Sequence, residues 1–479
     1  MARELQIMNY IFYDFETTGR ESNWDQIIQV GAVLTNSSFQ EIDRFESRCC
    51  LRPGIIPYPQ AILVNKSSTN DLTKTKLSHF SLIELMLAKF KSWGSAIYIG
   101  YNTISFDEEF LRKSLFKTLF DPYLTLNNGN KRSDLLNILR ANHAYFPDSI
   151  KIPLNEKGKL SFKLDQVAPF NGISDFSAHD AIGDTIATIK LAELIKNKSP
   201  ELWKASLLTT NREETDFIIK NNKIFCITET FFGKTMPFIV SLLCHHPKYK
   251  WAQCFDLKNN PEDYINLTPE SLEHFMSKSP KIIRNLRSNK SPIIMNSDHI
   301  SKINEYKHIS EKELLRRANI ISSNTNFKQT VEKILEKKAL EKEDFISQED
   351  INYEETIYHS FSNNYEKIVM EEFHMSPWEN KLKIAHKFKD ERNYYFAERL
   401  IYEEKPSLLP KENLNKINRH IATQIFSTNE EKWNTIPKAY KDIDDLRAKY
   451  EEEKDESTLN NLNDLNNLIE DIEIKYQDV

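Results

Sequence analysis

The chain begins with an apolar run at residues 7–12, which leads into two alternating acids, Asp14 and Glu16, and a glycine at position 19. This pattern predicts a buried β-strand closed by a turn. Successive side chains of a strand point to opposite faces, so both acids are expected on one face. Paired carboxylates on a core strand are costly to desolvate unless a cation neutralises them. The strand alone leaves open that both acids face solvent.

The hydrophobic pattern then predicts an alternation of strands and helices. Further strands are expected at residues 27–34, 39–50 and 97–102, and a helix that packs on the sheet at residues 82–93. Ser105 is a predicted N-cap of a second helix, which would place Asp107 in its first turn. The helix dipole by itself favours a carboxylate there, so Asp107 alone does not indicate a site.

A strong amphipathic helix is predicted at residues 186–194, preceded by a loop that carries His179. Asp184 lies one turn inside this helix. Two positions five apart do not share a helix face, but a loop residue and a first-turn residue can converge on one point. A single histidine usually has a structural role. His179 is a candidate functional residue because it precedes an inward-facing acid. The helix ends before Pro200, so an α/β domain is expected at residues 1–201.

These residues supply four carboxylates and one histidine, a set that suits two-metal phosphodiester hydrolysis. Hard carboxylate oxygens prefer Mg²⁺ or Mn²⁺. Two such ions about 3.5–4 Å apart can activate water and stabilise the leaving oxygen. A neutral histidine, whose ordinary pKa is ~6.5, can accept the proton of that water. The set consists of Asp14, Glu16, Asp107, His179 and Asp184.

The rest of the chain predicts two further domains. Short apolar runs separated by turn residues indicate a β-rich domain at residues 202–350, and helical spacing from residue 353 indicates a helical C-terminal domain at residues 353–479. A basic run in the middle domain is either a solvated face or a track for phosphates. It consists of Lys278, Lys281, Arg284, Arg287 and Lys290.

Charge and cysteine content narrow the partners and the compartment. The net charge is −6, but residues 441–479 carry thirteen Asp/Glu and five Lys/Arg, which leaves +2 for the rest of the chain. The body can therefore present basic patches to a nucleic acid. No apolar run approaches the ~18 residues of a membrane span. Five cysteines without a C-x-x-C pair, and no secretion signal, suit a reducing cytoplasm. We expect a monomer.

Three motifs in this order resemble those of the DEDDh 3′→5′ exonucleases: D-x-E-T-x-G from Asp14, G-Y-N-x-x-x-F-D from Gly100, and H-D-A-x-x-D from His179. The longer strings at residues 100–109, 121–123 and 161–164 are similar to bacterial exodeoxyribonuclease I. The resemblance implies a ribonuclease H-like first domain, an SH3-like middle domain and a C-terminal domain that closes onto both. The sequence resemblance is weaker in the last two domains.

The resemblance also implies roles for single residues. Asp14, Glu16 and Asp184 would bind the metals, Asp107 would support the second metal, and His179 would be the general base. Lys163 stands where the family has an arginine, which keeps the charge but loses bidentate phosphate geometry. Glu16 is also expected to touch substrate, and Tyr358 and Phe361 could stack on bases or belong to the core. The remaining expected contacts are Arg112, Tyr123, Arg140, Arg212 and Lys290.

The expected function is Mg²⁺-dependent degradation of single-stranded DNA from its 3′ end to 5′-mononucleotides, in DNA repair or recombination. An RNA-trimming or proofreading exonuclease shares the same catalytic set, and a non-catalytic nucleic-acid-binding scaffold is a third possibility that normally lacks one of the five groups. In the family, a single-strand-binding protein docks its acidic tail in a basic pocket. Phe146 and Ala205 stand at the equivalent places of a basic and an aromatic residue, which argues against docking.

Overall fold

The computed structural model describes residues 8–346 and 352–479. Residues 1–7, which include the start of the predicted apolar run, and residues 347–351, which include the end of the predicted middle domain, lie outside the described residues. The described chain consists of an α/β region, a β-rich region and a helical region, in that order.

A mixed five-stranded sheet forms the centre of the α/β region, in the order β3-β2-β1-β4-β5. Strand β2 pairs antiparallel with both β1 and β3. Strand β4 runs parallel to β1, and β5 runs parallel to β4. The strands are β1 (Asn9–Thr17), β2 (Ile27–Thr35), β3 (Glu41–Arg48), β4 (Ala96–Gly100) and β5 (Lys131–Asp134). The helices are α1 (Pro59–Val64), α2 (Thr69–Lys74), α3 (His79–Ser92), α4 (Asp107–Lys117), α5 (Leu135–Tyr145), α6 (Leu164–Phe170) and α7 (Ala181–Lys198).

The alternation of β1 places its two acids on a defined face. Tyr10 and Phe12 belong to a core formed with α5 and α7, whereas Ile11, Tyr13 and Phe15 belong to the core on the opposite face. Side chains two residues apart share a face, so Asp14 and Glu16 follow Tyr10 and Phe12 on the α7 side. The buried strand predicted from the sequence is therefore present, with both acids directed as expected.

The β-rich region holds a second five-stranded sheet, antiparallel throughout, in the order β10-β6-β7-β8-β9. Its strands are β6 (Phe225–Phe231), β7 (Lys234–His245), β8 (Ala252–Asp256), β9 (Ile283–Leu286) and β10 (Ile294–Met295). The helices before, within and after the sheet are α8 (Pro200–Leu208), α9 (Arg212–Asn221), α10 (Pro269–Ser277), α11 (Glu311–Ser323) and α12 (Thr325–Ile346). Its core is continuous with the α5–α7 face of the first sheet.

The C-terminal region is helical and packs against the α/β region. Its core includes Ile28, Phe80 and Phe116 of the α/β region. Its helices are α13 (Asn364–Met375), α14 (Trp378–Ala385), α15 (Glu391–Glu404), α16 (Lys411–Ile425), α17 (Ile436–Glu453) and α18 (Glu456–Tyr476). The leucines of α18 at 462, 465 and 468 are buried, so this row packs helices together.

The predicted fold class, an α/β domain followed by a β-rich and a helical domain, is confirmed. We propose the domain boundaries 1–201, 202–350 and 353–479. Helix α8 packs on α5 and α7, so the core of the first domain extends past residue 201. Within the described ranges, no helix combines the length and apolar character needed to cross a membrane. The five cysteines are free thiols.

Candidate active site

Two carboxylates of β1 and one of α7 meet at the end of the first sheet. Strand β1 pairs with β4 only through Asn9–Phe12, so its last residues extend beyond β4. Asp14 and Glu16 lie on this extension, opposite Gly31 and Gln29 of β2. Asp184 joins them from the first turn of α7. One oxygen of each of the three carboxylates lies within 4.8 Å of the others.

Gly31 allows α7 to reach the two strand acids. A Cβ at this position would lie 2.3 Å from the backbone carbon of Ala181 and 2.4 Å from the nitrogen of Ile182. The start of α7 therefore rests directly on the backbone of β2, where Thr185 Oγ1 donates to Gly31 O at 3.2 Å. Because Gly31 is the register partner of Asp14, this contact brings Asp184 to Asp14.

Asp107 approaches from the open side of β1. Its Oδ1 accepts a hydrogen bond from the Phe15 backbone N–H at 3.0 Å, on the stretch that β4 no longer covers. Asp107 is the first residue of α4, as predicted, but the predicted N-cap was wrong. Phe106 occupies that position and no side chain caps the helix. The turn from residue 102 to 106 uses a left-handed Asn102 (φ 67°), which places Ser105 outside the capping position.

His179 lies at the rim of the acid cluster. Its backbone has a left-handed conformation (φ 62°), and its N–H donates to Asp184 Oδ2 at 3.2 Å. The side chain is 40% exposed, and Nε2 lies 3.7 Å from Asp165 Oδ2. The loop residue His179 and the first-turn residue Asp184 therefore lie side by side, as predicted. Asp184 holds the backbone of His179, and the imidazole ring is accessible to a ligand.

Two acids that the sequence analysis did not single out support this loop. Asp165 faces the ring of His179 from α6, and Asp180 caps α7 through the N–H of Gly183. Asp180 also accepts from Gln29 Nε2 at 2.7 Å and pairs with Arg48 at 3.2 Å. The capping role of Asp180 could have been inferred from its place before the helix, but its partners depend on strand register.

Burial and mutual repulsion raise the pKa of every acid in the cluster. Desolvation, and then Asp107 and Glu16, raise the pKa of Asp14 well above its ordinary value. Burial is also the main cause for Glu16, whose pKa rises to about 8, and for Asp184, whose pKa rises to about 7. The pKa of Asp107 rises to about 8 through burial, against the hydrogen bond from Phe15. The cluster thus carries more negative charge than its surroundings stabilise.

The donor set fits a divalent cation. Asp184 Oδ1 is a buried oxygen without a hydrogen-bond partner among the described residues, although Oδ2 accepts from the His179 N–H. Three carboxylate oxygens this close together provide the hard ligands that Mg²⁺ and Mn²⁺ prefer. A cation among them would also remove the repulsion that raises their pKa values.

The residue after Asp107 anchors the same helical turn. Glu108 is 1% exposed and accepts hydrogen bonds from four side chains. Burial opposes its ionisation, but the charges of Arg132 and Arg112, and then the hydrogen bonds, lower its pKa. Its donors are Arg112 (2.8 Å), Arg132 (2.7 Å), Thr125 (2.6 Å) and Tyr13 (3.2 Å). Arg132 continues to Asn289 O in the β-rich region. The sequence shows only an acid run, so this network was missed.

The expected substrate contacts divide into surface and buried groups. Lys163 is exposed just before α6, and Arg140 lies over the ring of Phe162 at 6.0 Å. Phe361 is 80% exposed and its ring lies 5.6 Å from that of Tyr123. Arg112 also contacts the Tyr123 ring, at 5.2 Å, but it is buried on Glu108.

Two expected contacts from different domains converge on Glu109, in the first turn of α4. Tyr358 Oη donates to Glu109 Oε2 at 2.7 Å, and Lys290 Nζ lies 3.7 Å from Oε1. Both residues therefore stand beside the helix that presents Asp107. The side chain of Arg212, also an expected contact, is largely exposed and pairs with Asp216 at 3.5 Å.

The predicted basic track is wrong at Arg284. This residue is 4% exposed and binds Asp256 (2.9 Å) and Glu229 (2.5 Å), because β9 pairs with β8. Arg287 stacks on the ring of Trp251 at 4.0 Å. Arg287 nevertheless remains exposed, so the surface track is reduced to Lys278, Lys281, Arg287 and Lys290.

Comparison with known proteins identifies the class of the first domain. Residues 11–192 match the family model of the RNase_T exonucleases. This stretch contains β1 to α7 and all five clustered residues. The first domain is therefore similar to the exonuclease domains of that family.

The curated relatives point to one kind of exonuclease. Exodeoxyribonuclease I of Escherichia coli K12 is 31% identical over 201 residues, which are 41% of this chain and 42% of that protein. Exodeoxyribonuclease I of Buchnera aphidicola from Acyrthosiphon pisum is 29% identical over 266 residues, 54% of this chain and 64% of that protein. The matches thus span about half of each protein.

The fold is similar over nearly the whole chain. E. coli exonuclease I in complex with a dA16 oligonucleotide has a TM-score of 0.81 at 21% identity, and the alignment covers 97% of this chain and 100% of that chain. Exonuclease I from Methylocaldum szegediense gives 0.80 at 21% identity, with 96% and 99% coverage. The resemblance to bacterial exodeoxyribonuclease I is confirmed, in sequence for the first domain and in fold for all three.

Proposed function

We propose that this protein is a metal-dependent exonuclease that degrades single-stranded DNA in the 3′→5′ direction to 5′-mononucleotides, in DNA repair or recombination. The observation that carries the proposal is the cluster of Asp14, Glu16 and Asp184 within 4.8 Å, set in an exonuclease-family domain. The three-domain fold, which resembles exonuclease I structures with bound oligonucleotides, supports single-stranded DNA as substrate.

The metal ligands would be Asp14, Glu16 and Asp184, with Asp107 supporting a second ion. Bound Mg²⁺, or Mn²⁺ in its place, would supply charge stabilisation at the phosphate and a more acidic water. The protein's part is to hold these carboxylates in place: Phe15 N–H fixes Asp107, and His179 N–H fixes Asp184. The unpartnered Asp184 Oδ1 supports its assignment as a ligand.

His179 is the proposed general base. Its imidazole is accessible at the edge of the cluster and would accept the proton of the attacking water. Asp165, 3.7 Å from Nε2, would stabilise the imidazolium that forms. Lys163, exposed near the same loop, and Lys290 and Tyr358, which meet on Glu109, would hold the strand beside the carboxylates.

A digestion assay tests the proposal. A 5′-labelled single strand should shorten from its 3′ end in the presence of Mg²⁺, and the ladder should vanish with chelator and with Asp184→Asn. The matched control is Asp175→Asn, which changes a fully exposed acid near the same loop and should leave the ladder intact. Unchanged digestion by the Asp184 variant would contradict the assignment.

DNA and RNA need to be compared as substrates, because the exonuclease domain is also similar to part of a protein of another class. PolC-type DNA polymerase III of Clostridium perfringens is 28% identical over 197 residues, 40% of this chain and 11% of that protein. The β-rich and helical domains favour the single-stranded DNA role instead. DNA and RNA strands of one sequence, digested side by side, should give a clear preference for DNA.

We propose weak or absent docking of the acidic tail of a single-strand-binding protein, although one structural neighbour is an SSB/exonuclease I structure. Ala205 lines a cavity of about 590 Å³ that also presents Glu201 and Asp298, and Phe146 packs on His299 at its edge. Lys204 and His299 also line this cavity, and His299 lies 3.6 Å from Glu201, so its walls carry both signs of charge and lack the basic and aromatic pair that the resemblance implies. A pull-down with the tail peptide tests this. A cytoplasmic location and a monomeric state remain proposals.

A further inference from the structure

A polar cavity lies between the α/β domain and the helical domain, in a part of the molecule that the proposed catalysis does not use. Its volume is about 60 Å³, room for about four waters or one small tetrahedral anion. Its walls come from the loop after β1, the end of α4, helix α15 and the segment before α17. They include Trp24, Lys117, Arg399 and Asn434.

Five buried polar atoms in these walls have no hydrogen-bond partner among the residues that the structure describes. They are Asn23 Oδ1, Trp24 Nε1, Arg399 Nε and Nη1, and Asn434 Oδ1. Asn434 is 4% exposed, and its amide nitrogen is already committed to Pro57 O. Buried polar groups are nearly always paired, so a concentration of unpaired ones in one cavity indicates a bound polar species.

Two of the three cations in the walls are available to an anion. Lys117 is 5% exposed, and its one hydrogen bond to a described residue is to Asn23 O, at 3.1 Å. Neither Lys117 nor Arg399 forms an ion pair within the described part of the chain. A third cation, Arg52, is neutralised by two hydrogen bonds to Glu403, at 2.7 and 3.0 Å.

The two acids in the walls are already engaged. Glu354 accepts from Tyr395 Oη at 2.7 Å. Asp25 accepts from the Glu21 N–H at 2.8 Å and from Thr18 Oγ1 at 3.3 Å. The groups left without partners are therefore mainly N–H donors. The pKa of Lys117 is lowered to about 7, chiefly by burial and then by Arg52, while the charges of Glu354 and Asp25 act in the opposite direction.

We propose that this cavity binds a small oxyanion of the phosphate class, held by Trp24 Nε1, Lys117 Nζ and Arg399. The indole and guanidinium N–H groups and the free ammonium protons would donate to the oxygens. A protonated oxygen of hydrogen phosphate could donate to the unpaired amide oxygens of Asn23 or Asn434. The anion would join the α/β domain to the helical domain. This inference is independent of the proposed nuclease activity.

Anion binding can be measured on the full chain without any catalysis. Thermal unfolding and tryptophan fluorescence are followed in metal-free buffer as sodium phosphate replaces sodium chloride at constant ionic strength. Without a cation, the acid cluster of the active site repels anions and does not compete. Trp24 and Trp433 both line the cavity, so fluorescence reports binding directly. A parallel arm with deoxyadenosine 5′-monophosphate distinguishes free phosphate from a nucleotide as its source.

We expect 10 mM phosphate to raise Tm by about 2–4 °C. Lys117→Met should lose most of that shift, and Arg399→Met provides the same test if the first variant does not fold. Lys381→Met is the matched control, since Lys381 is 3% exposed and also donates to a backbone carbonyl but does not line the cavity. It should keep the full shift.

Three outcomes would overturn the proposal. Equal Tm and fluorescence in phosphate and chloride would mean that the cavity holds water alone. A phosphate response that Lys117→Met and Arg399→Met both retain would place the anion elsewhere. If the nucleotide changes Tm and fluorescence as phosphate does, and Lys117→Met abolishes both changes, the site accepts a phosphate group from either source. A response to the nucleotide but not to phosphate would refute a small-oxyanion site.

Discussion

Replacement of Asp184 by asparagine should stabilise the metal-free protein while it abolishes metal binding. Asparagine keeps the size of the side chain and the oxygen that accepts from the His179 N–H, but it removes a negative charge from the cluster. Functional sites commonly hold such unfavourable groups, whose removal raises stability and destroys function.

The pKa shift sets the size of the effect. Burial raises the pKa of Asp184 from 3.8 to about 7. At ~1.4 kcal/mol for each pKa unit, the upper limit of the destabilisation is about 4 kcal/mol. The site opens to solvent, so we expect about 1–2 kcal/mol, equivalent to a rise in Tm of roughly 3–6 °C for a domain of this size.

The sign of the pH dependence follows from the raised pKa. A carboxyl whose folded pKa exceeds its unfolded value stabilises the fold fully below the unfolded value and loses this contribution as pH rises through about 7. The Tm difference between Asp184→Asn and the parent should therefore be largest at pH 8 and should shrink towards pH 5.

Differential scanning calorimetry at pH 5 and pH 8, with and without Mn²⁺, measures both effects. Mn²⁺ should raise the Tm of the parent protein and not that of Asp184→Asn, and the exposed-site control Asp175→Asn should behave like the parent. The reasoning is refuted if the metal-free Asp184 variant is less stable at pH 8, or if it keeps the full stabilisation by Mn²⁺.

Three further predictions concern single positions. His179→Asn, a residue type that tolerates the left-handed backbone, should lower kcat by about 10²–10⁴-fold and leave the Mn²⁺-dependent Tm shift unchanged; loss of that shift would make His179 a ligand rather than the base. Glu109→Gln should raise KM for single-stranded DNA by up to about tenfold, or ~1.4 kcal/mol, because Lys290 and Tyr358 lose their common partner; Glu214→Gln, which breaks the similarly exposed Lys131 pair, is the control. Gly31→Ala should cost about 1–3 kcal/mol by denaturant unfolding and reduce activity, since its Cβ would overlap Ala181; parental stability and activity would show that α7 does not depend on this contact.

The sequence allowed the directions of the strand acids to be predicted because they depend on local geometry. Alternation along β1 puts Asp14 and Glu16 on one face, and a loop residue followed by a first-turn residue brings His179 to Asp184. These relations need no knowledge of distant partners. The motif order then narrowed the fold to a known family.

Features that depend on strand pairing and domain packing could not be predicted. Arg284 belongs to a basic run that suggests a surface track, but the pairing of β9 with β8 places it on Asp256. The role of Glu108 depends on Arg132, 24 residues away on β5. The convergence of Lys290 and Tyr358 on Glu109 requires all three domains to be in place.

The most direct test of the central claim is the anomalous scattering of Mn²⁺ in a crystal of this protein. The account predicts an anomalous peak bonded to an oxygen each of Asp14, Glu16 and Asp184, and no such peak in Asp184→Asn. A peak confined to other residues, or three carboxylates that remain metal-free at millimolar Mn²⁺, would contradict it.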